Sequence, residues 1–172
     1  MLVREYTKDD LQAIADIYNE SIVRGGITMD TKLYSAEDMR SQVKKFSDRE
    51  TILVGELDGA VIGWGIIKRY SDRPGYRVCC ETSIYLSFAQ TGKGYGKLLQ
   101  RSLLQKVIEF HYHHIVAKIF ACNQKSIDFH KQFGFEIVGL QKEIGFTKGS
   151  WYDMVIMQLI LADVPPYQAD LA

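Results

Sequence analysis

Three glycines within five residues, Gly92, Gly94 and Gly96, stand between the run IYLSFA and the amphipathic segment YGKLLQRSLL, with Lys93, Tyr95 and Lys97 interleaved. Glycine lets a backbone approach a ligand closely, and the free N–H groups of a starting helix attract negative charge. The turn therefore suits an anion, in particular a pyrophosphate. Two familiar phosphate loops fail here. A Walker loop ending at Gly96-Lys97 needs glycine at 91 and a hydroxyl at 98, where Thr91 and Leu98 stand. The spacing GxGxxG reaches Lys97 from Gly92 and Leu99 from Gly94, so it fails both ways. A plain strand-to-helix turn is the alternative. Upstream, alternation over residues 78–86 puts Cys79, Glu81, Ser83 and Tyr85 on one strand face, which holds a carboxylate in mid-strand just before the turn. Downstream, NQKSIDFHKQFGF carries Asn123, Ser126 and His130. A buried carboxylate and an imidazole both titrate near neutral pH, which makes Glu81 and His130 the candidates for proton transfer. Their alternatives are a strand ion pair of Glu81 with Arg77 or another cation, and a His130 simply packed beside Phe129 and Phe133.

The elements that must position these groups follow from periodicity. A strand over residues 2–6 leads to Thr7 and Asp10, a helix-capping pair, and then Leu11, Ile14, Ala15, Tyr18 and Ile22 at helical spacing up to Gly25-Gly26. Ser35 caps a second helix with Met39, Val43 and Phe46 inward. TILVGEL, Asp58-Gly59 and AVIGWGII form a hairpin signal. A strand over 76–86, the glycine turn, a helix to about 110, a strand over 115–121, a helix over 124–132 and strands over 136–144 and 151–161 complete the order. The fold class is α/β (α+β), a mixed and mostly antiparallel central sheet of about seven strands with helices on both faces.

Composition narrows the partners. The chain has 172 residues, 21 basic and 21 acidic, 47% hydrophobic. Balanced charge gives no broad field toward nucleic acid or anionic lipid. The N-terminus is too polar for a signal peptide, no apolar run reaches the roughly 20 residues of a membrane span, and Cys79, Cys80 and Cys122 form neither a disulfide framework nor a CxxC knuckle. These features suit a cytoplasmic protein. His111, His113 and His114 lack a carboxylate partner for a metal, and a charge–dipole role at a helix end suits them better.

With the glycine turn, the segment NQKSIDFHKQFGF resembles the GNAT superfamily of acetyl-CoA-dependent N-acetyltransferases, whose signature is Gln/Arg-x-x-Gly-x-Gly/Ala followed by Asn-x-x-Ala/Ser and an aromatic-rich stretch ending Gly-Phe. ETSIYL, RPGYRVCCETSIY, ADIYNESIV and EIGFTKGSWYDMVIMQL extend the resemblance over nearly the whole chain, toward the phosphinothricin and methionine sulfone/sulfoximine acetyltransferases. It implies one N-acetyltransferase domain over residues 1–161 with a C-terminal tail over 162–172, where Pro165 and Pro166 stop regular structure. It implies acetyl-CoA as co-substrate, no metal, a small amine or amino-acid acceptor and a homodimer. Glu81 becomes the general base, with burial expected to raise its pKa, and His130 an acid to the leaving thiolate or an aid to amine deprotonation. Tyr85, Leu86 and Ser87 would offer strand-edge groups to the pantetheine arm, Gly92, Lys93, Gly94, Tyr95, Gly96 and Lys97 would cradle the pyrophosphate, and Lys93, Lys97 or Arg101 could meet nucleotide phosphates. Asn123 and Ser126 would approach the arm from the other side, unless Asn123 is an ordinary helix N-cap. Arg73, Tyr76 and Arg77 would meet the acceptor's acidic groups. Two places depart from the pattern: Thr91 stands at the Gln/Arg position, with Gln90 one place early, and Gly25-Gly26-Ile27-Thr28-Met29-Asp30, a segment expected to line the acceptor pocket, replaces a more Thr- and Phe-rich loop. A protein N-terminus or polyamine as acceptor, or an acetyl-CoA sensor without catalysis, are the rival readings.

Overall fold

The apolar runs pair into one seven-stranded sheet, seen in a computed structural model that describes residues 1–167. In chain order the elements are β1 (Leu2–Glu5), α1 (Leu11–Arg24), α2 (Ala36–Val43), β2 (Thr51–Leu57), β3 (Ala60–Arg69), β4 (Cys79–Leu86), α3 (Tyr95–Glu109), β5 (His114–Phe120), α4 (Gln124–Lys131), β6 (Glu136–Thr147) and β7 (Ser150–Ile160). The strand order is β1-β2-β3-β4-β5-β7-β6. Every pairing is antiparallel except β4 with β5.

Period-two alternation splits the side chains into two cores. Ile52, Val54, Trp64 and Ile66 meet Leu11, Ile14, Tyr18 and Met39 of α1 and α2. On the other face Leu53, Ile67, Cys80 and Ile115 meet Leu99, Leu103 and Val107 of α3 and Ile127 of α4. The sheet is thus covered on both faces, as its hydrophobic pattern requires. Asp58 and Gly59 both take positive φ, 51° and 80°, the conformation that a two-residue hairpin loop demands.

Two strand boundaries differ from the sequence reading by three residues, each for a local reason. β4 begins at Cys79 and not near residue 76, because Pro74 opens a short 3-10 turn over Pro74–Tyr76. β6 continues to Thr147, because Lys148 and Gly149 at φ 49° and 76° make a second tight loop straight into β7. Of the histidines near the end of α3, His111 gives its N–H to the Ile108 carbonyl. His113 Nδ1 lies 2.9 Å from the Val164 carbonyl, and His114 starts β5. Val164 is itself buried, so the segment after β7 is docked as far as it is described; residues 168–172 of the expected tail lie outside the described part.

The N-terminal end is fastened by a charged cluster. Arg4 grips the nearly buried Asp10 carboxylate with two N–H donors at 2.7 and 2.9 Å, and the Thr7 N–H donates to it at 2.6 Å. These bonds pull its pKa from 3.8 down to about 2, Arg4 being the largest cause. A shift of that size stabilises the fold by about 2 kcal/mol when the carboxylate is ionised. Because the folded-state pKa is depressed, this stability is present above pH 4 and is lost as pH falls toward 2. Asp10→Asn should therefore lower the urea-unfolding free energy by about 2 kcal/mol at pH 7, and the gap to the parent should close between pH 4 and 2.

Candidate active site

β4 and β5 pair over only three positions, Cys79 with His114, Cys80 with Ile115 and Glu81 with Val116. Beyond Glu81 that edge of β4 has no strand partner, so residues 82–86, Tyr85 and Leu86 among them, leave backbone groups that could meet a ligand's amides. The gap between the two strands is a narrow cleft of about 50 Å³, lined among others by Thr82, Tyr85, Lys118, Asn123, Ser126 and His130. The structure thus brings together residues from β4, β5 and α4 that lie far apart in the chain.

His130 is 4% exposed, edge-on to Phe129 and Phe135. Its Nδ1 lies 2.8 Å from the Ser126 carbonyl. A carbonyl only accepts, so Nδ1 carries the proton and Nε2 keeps its lone pair. Burial lowers the imidazole pKa below the ordinary 6.5, against an upward pull from the Ser126 bond. At neutral pH the ring is a neutral base with one fixed tautomer. Asn123 does two things at once: Oδ1 accepts the Ser126 N–H at 3.2 Å as the cap of α4, and the residue lines the cleft.

Glu81 does make a strand ion pair with another cation than Arg77: Lys118 lies 2.6 Å away. The burial expected of Glu81 is only partial, since its side chain is 23% exposed. Lys118 lies on β5 two residues beyond the last paired position, lines the cleft, and also lines an apolar cavity of about 410 Å³ with Met29, Val116, Ile144, Met154 and Ile156. Two contacts tie the end of the β6–β7 hairpin to Met29 and to α1. Met29 packs so closely on Gly145 that any Cβ there would overlap its thioether. Lys148 Nζ donates to the carbonyls of Ile22 and Val23 at 3.0 and 2.6 Å, tying the β6–β7 tip to the C-terminal end of α1.

The glycine turn leaves room in which an anion could sit. Gly92 and Gly94 sit at φ 77° and 86°, and nothing lies within 4 Å of where a Cβ would stand. Gly96 is different: a Cβ would come 3.0 Å from Leu86 and 3.5 Å from Phe129, so it lets α3 start close against β4 and α4. Lys93 Nζ is held by Gln90 at 3.0 Å, and Thr91 turns its hydroxyl back to the Phe88 carbonyl. Ser87 is committed within the chain, its N–H to Ile62 and its hydroxyl to Glu20 of α1, which also accepts the Phe88 N–H at 2.7 Å. Arg73 and Arg77 line a separate cavity of about 270 Å³ with Arg49 and Arg69, which shares no lining residue with the cleft. Tyr76 packs at a tilt against Tyr70, with ring centres 5.5 Å apart, and is exposed.

The profile of the family described as "Acetyltransferase (GNAT) domain" matches residues 3–156. The chain belongs to the GNAT acetyltransferases. Among GNAT relatives, the L-methionine sulfoximine/L-methionine sulfone acetyltransferase of Salmonella typhimurium is 28% identical over 165 residues, covering 94% of this chain and 95% of that protein. A Sinorhizobium meliloti phosphinothricin acetyltransferase solved in complex with acetyl-CoA superposes with TM-score 0.90 at 31% identity, covering 98% and 94% of the two chains. A ribosomal-protein-alanine N-acetyltransferase from Brucella melitensis gives TM-score 0.90 at 31% identity, covering 94% and 100%. The chain is an N-acetyltransferase whose co-substrate is acetyl-CoA, and its mixed seven-stranded sheet is the GNAT fold.

The residues of the site fit that co-substrate on their own terms. The two open positive-φ glycines provide a backbone cradle, and the Thr82 hydroxyl, buried in the cleft without a hydrogen-bond partner, is ready for a ligand's polar atom. Met29 belongs to the Gly25 to Asp30 loop expected at the acceptor pocket, whereas Thr82, Lys118 and Glu20 were not among the sequence candidates. Only Lys118 left a trace there, as a lone cation inside the apolar run HIVAKIF.

Proposed function

We propose that this GNAT enzyme acetylates the amine of a small amino-acid-like substrate of the phosphinothricin, methionine sulfone or methionine sulfoximine type. The observation that carries this reading is the apolar cavity under Met29, joined through Lys118 to the cleft that holds His130. Met29, Ile144, Met154 and Ile156 give it an apolar wall, and its volume of about 410 Å³ suits a compact acceptor with an apolar side chain. Gln141 and Tyr70 also line it and can donate hydrogen bonds to sulfone or phosphinate oxygens.

Acetyl-CoA supplies a thioester carbonyl for the amine to attack. The amine must first lose a proton. Glu81 receives it on the acceptor side, directly or through water, and the His130 Nε2 lone pair provides a second, neutral base in the cleft. The backbone of Gly92 to Lys97, the free edge of β4 at Tyr85 and Leu86, and Asn123 and Ser126 across the cleft hold the co-substrate. Burial pushes the Tyr85 phenol up to about 12, so it remains a hydrogen-bond donor at working pH. Arg73, Tyr76 and Arg77 serve acidic groups of the acceptor other than its α-carboxylate, at the far side, where adjoining cavities share Arg69, Ser71 and Asp72.

Pairing of two copies through β6 and β7 is supported by an apolar surface that includes Ile137, Leu140, Ile144, Phe146 and Trp151, each about half exposed. Three free thiols, with Cys79 and Cys80 buried, suit a cytoplasmic setting. The deciding measurement is thiol release from acetyl-CoA with a panel of phosphinothricin, methionine sulfone, methionine sulfoximine, spermidine and an alanine-starting peptide. Release with the first three is expected, and Glu81→Gln should slow it about 10- to 100-fold with little change in acetyl-CoA affinity. Preference for the peptide would favour the protein-terminus activity named for the Brucella structure. Tight acetyl-CoA binding with no release on any acceptor would favour a sensor.

A further inference from the structure

The Glu81–Lys118 pair is unusual in its placing. Neither partner is deeply buried, with side chains 23% and 43% exposed, so the pair contributes little to stability and opens readily. Yet it stands where sheet pairing ends, with Lys118 bordering both the cleft and the apolar cavity and Glu81 bordering the adjoining cavity that shares Tyr70. Lys118 Nζ also lies 5.7 Å from the centre of the Tyr70 ring, a soft contact that does not fix it in one place. A lysine inside HIVAKIF interrupts a strand whose other residues are mostly buried and apolar.

We propose that this pair is a receptor for a zwitterion: on binding it opens, Glu81 takes the acceptor's ammonium, Lys118 takes its carboxylate, and the side chain enters the apolar cavity. An α-amino acid carries its two charges on adjacent carbons, and a close ion pair offers the complementary arrangement. The substrate class is then a free α-amino acid with a compact, largely apolar side chain. A polyamine would bring a second cation to Lys118 with nothing to neutralise it. An amide or a peptide N-terminus would leave Lys118 without its charged partner. Arg73 and Arg77 cannot replace Lys118 in this role within the chain, because their cavity shares no residue with the cleft.

This inference rests on the acetyl-transfer reading and extends it to recognition, so the test separates the two. The kcat/KM for L-methionine sulfone and for its carboxamide are compared in the parent, in Lys118→Met, which keeps the aliphatic stem and removes the charge, and in Lys118→Arg. The ratio of acid to amide should exceed about 10 in the parent, fall about 10- to 100-fold in Lys118→Met and largely return in Lys118→Arg, the effect of one charge-assisted contact. Comparing ratios between variants cancels the lower basicity of the amide's amine. An unchanged ratio in Lys118→Met, meaning equal loss on both acceptors or none, would overturn the proposal while leaving acetyl transfer intact. So would a parent that prefers the amide. Failure of the parent to acetylate any amine would overturn the transfer reading and this one with it.

Discussion

Replacing His130 with glutamine is expected to lower kcat about 100- to 1,000-fold while acetyl-CoA affinity stays within a few-fold, the range for losing a positioned general base. The reasoning starts from the Ser126 carbonyl. It holds the Nδ1 proton 2.8 Å away, so the basic lone pair is at Nε2 in a ring that Phe129 and Phe135 hold edge-on. Glutamine has comparable reach but no titratable nitrogen. Stopped-flow or steady-state thiol release, with acetyl-CoA affinity measured separately by calorimetry, distinguishes a lost base from a lost ligand contact. An unchanged kcat would return His130 to a packing role.

The pH dependence has a definite direction. Burial lowers the folded-state pKa of His130, so the ring stays neutral to lower pH than an ordinary histidine. The acidic limb of kcat/KM should have a midpoint below 6.5, and that contribution should vanish in His130→Gln. Stability moves consistently. A group that resists protonation when folded adds no penalty above the unfolded pKa near 6.5, and it destabilises the fold as pH falls below that value. His130→Gln should therefore flatten part of the stability loss on acidification, even though it damages catalysis.

What could be read from the chain alone depended on the range of the interaction. The glycine turn, the Asp58-Gly59 loop and the Ser35 cap are decided by residues a few positions apart, and the Ser35 hydroxyl indeed accepts the Asp38 N–H at 3.2 Å. Pro74 moved the start of β4 because a proline favours the first position of a helical turn, a local signal overlooked beside a strand pattern. Glu81 meeting Lys118 could not be foreseen in the same way. The two are 37 residues apart, and their contact follows from a parallel register only three residues long. Alternation correctly gave the face on which Glu81 stands but not the cation awaiting it there. The tautomer of His130 was equally hidden, since it depends on where α4 places the Ser126 carbonyl, and Gly96 read as one more flexible glycine when its use is close packing.

That last distinction gives the second large effect. Gly96→Leu is expected to weaken acetyl-CoA binding at least about 100-fold, whereas Gly92→Ala should cost the fold about 1 kcal/mol and weaken binding less. At Gly96 even a Cβ comes 3.0 Å from Leu86 Cδ1, a flexible tip that can yield to alanine. A leucine also has to displace Phe129, 3.5 Å from the same point, and Phe129 packs against both His130 and Phe133. The first turn of α3 must then lift from β4, and the N–H groups of Tyr95 and Gly96 lose their common direction. Two misdirected charge-assisted hydrogen bonds are enough for a loss of that order. At Gly92 the φ of 77° disfavours a side chain, but the space is open, so the turn can relax without moving the helix. Calorimetric titration of both variants with acetyl-CoA, beside thermal melts, tests the contrast. Equal weakening by the two would show that the turn's conformation matters and the seating of α3 does not. A Gly96→Leu protein that binds normally would remove the helix start from the pyrophosphate site.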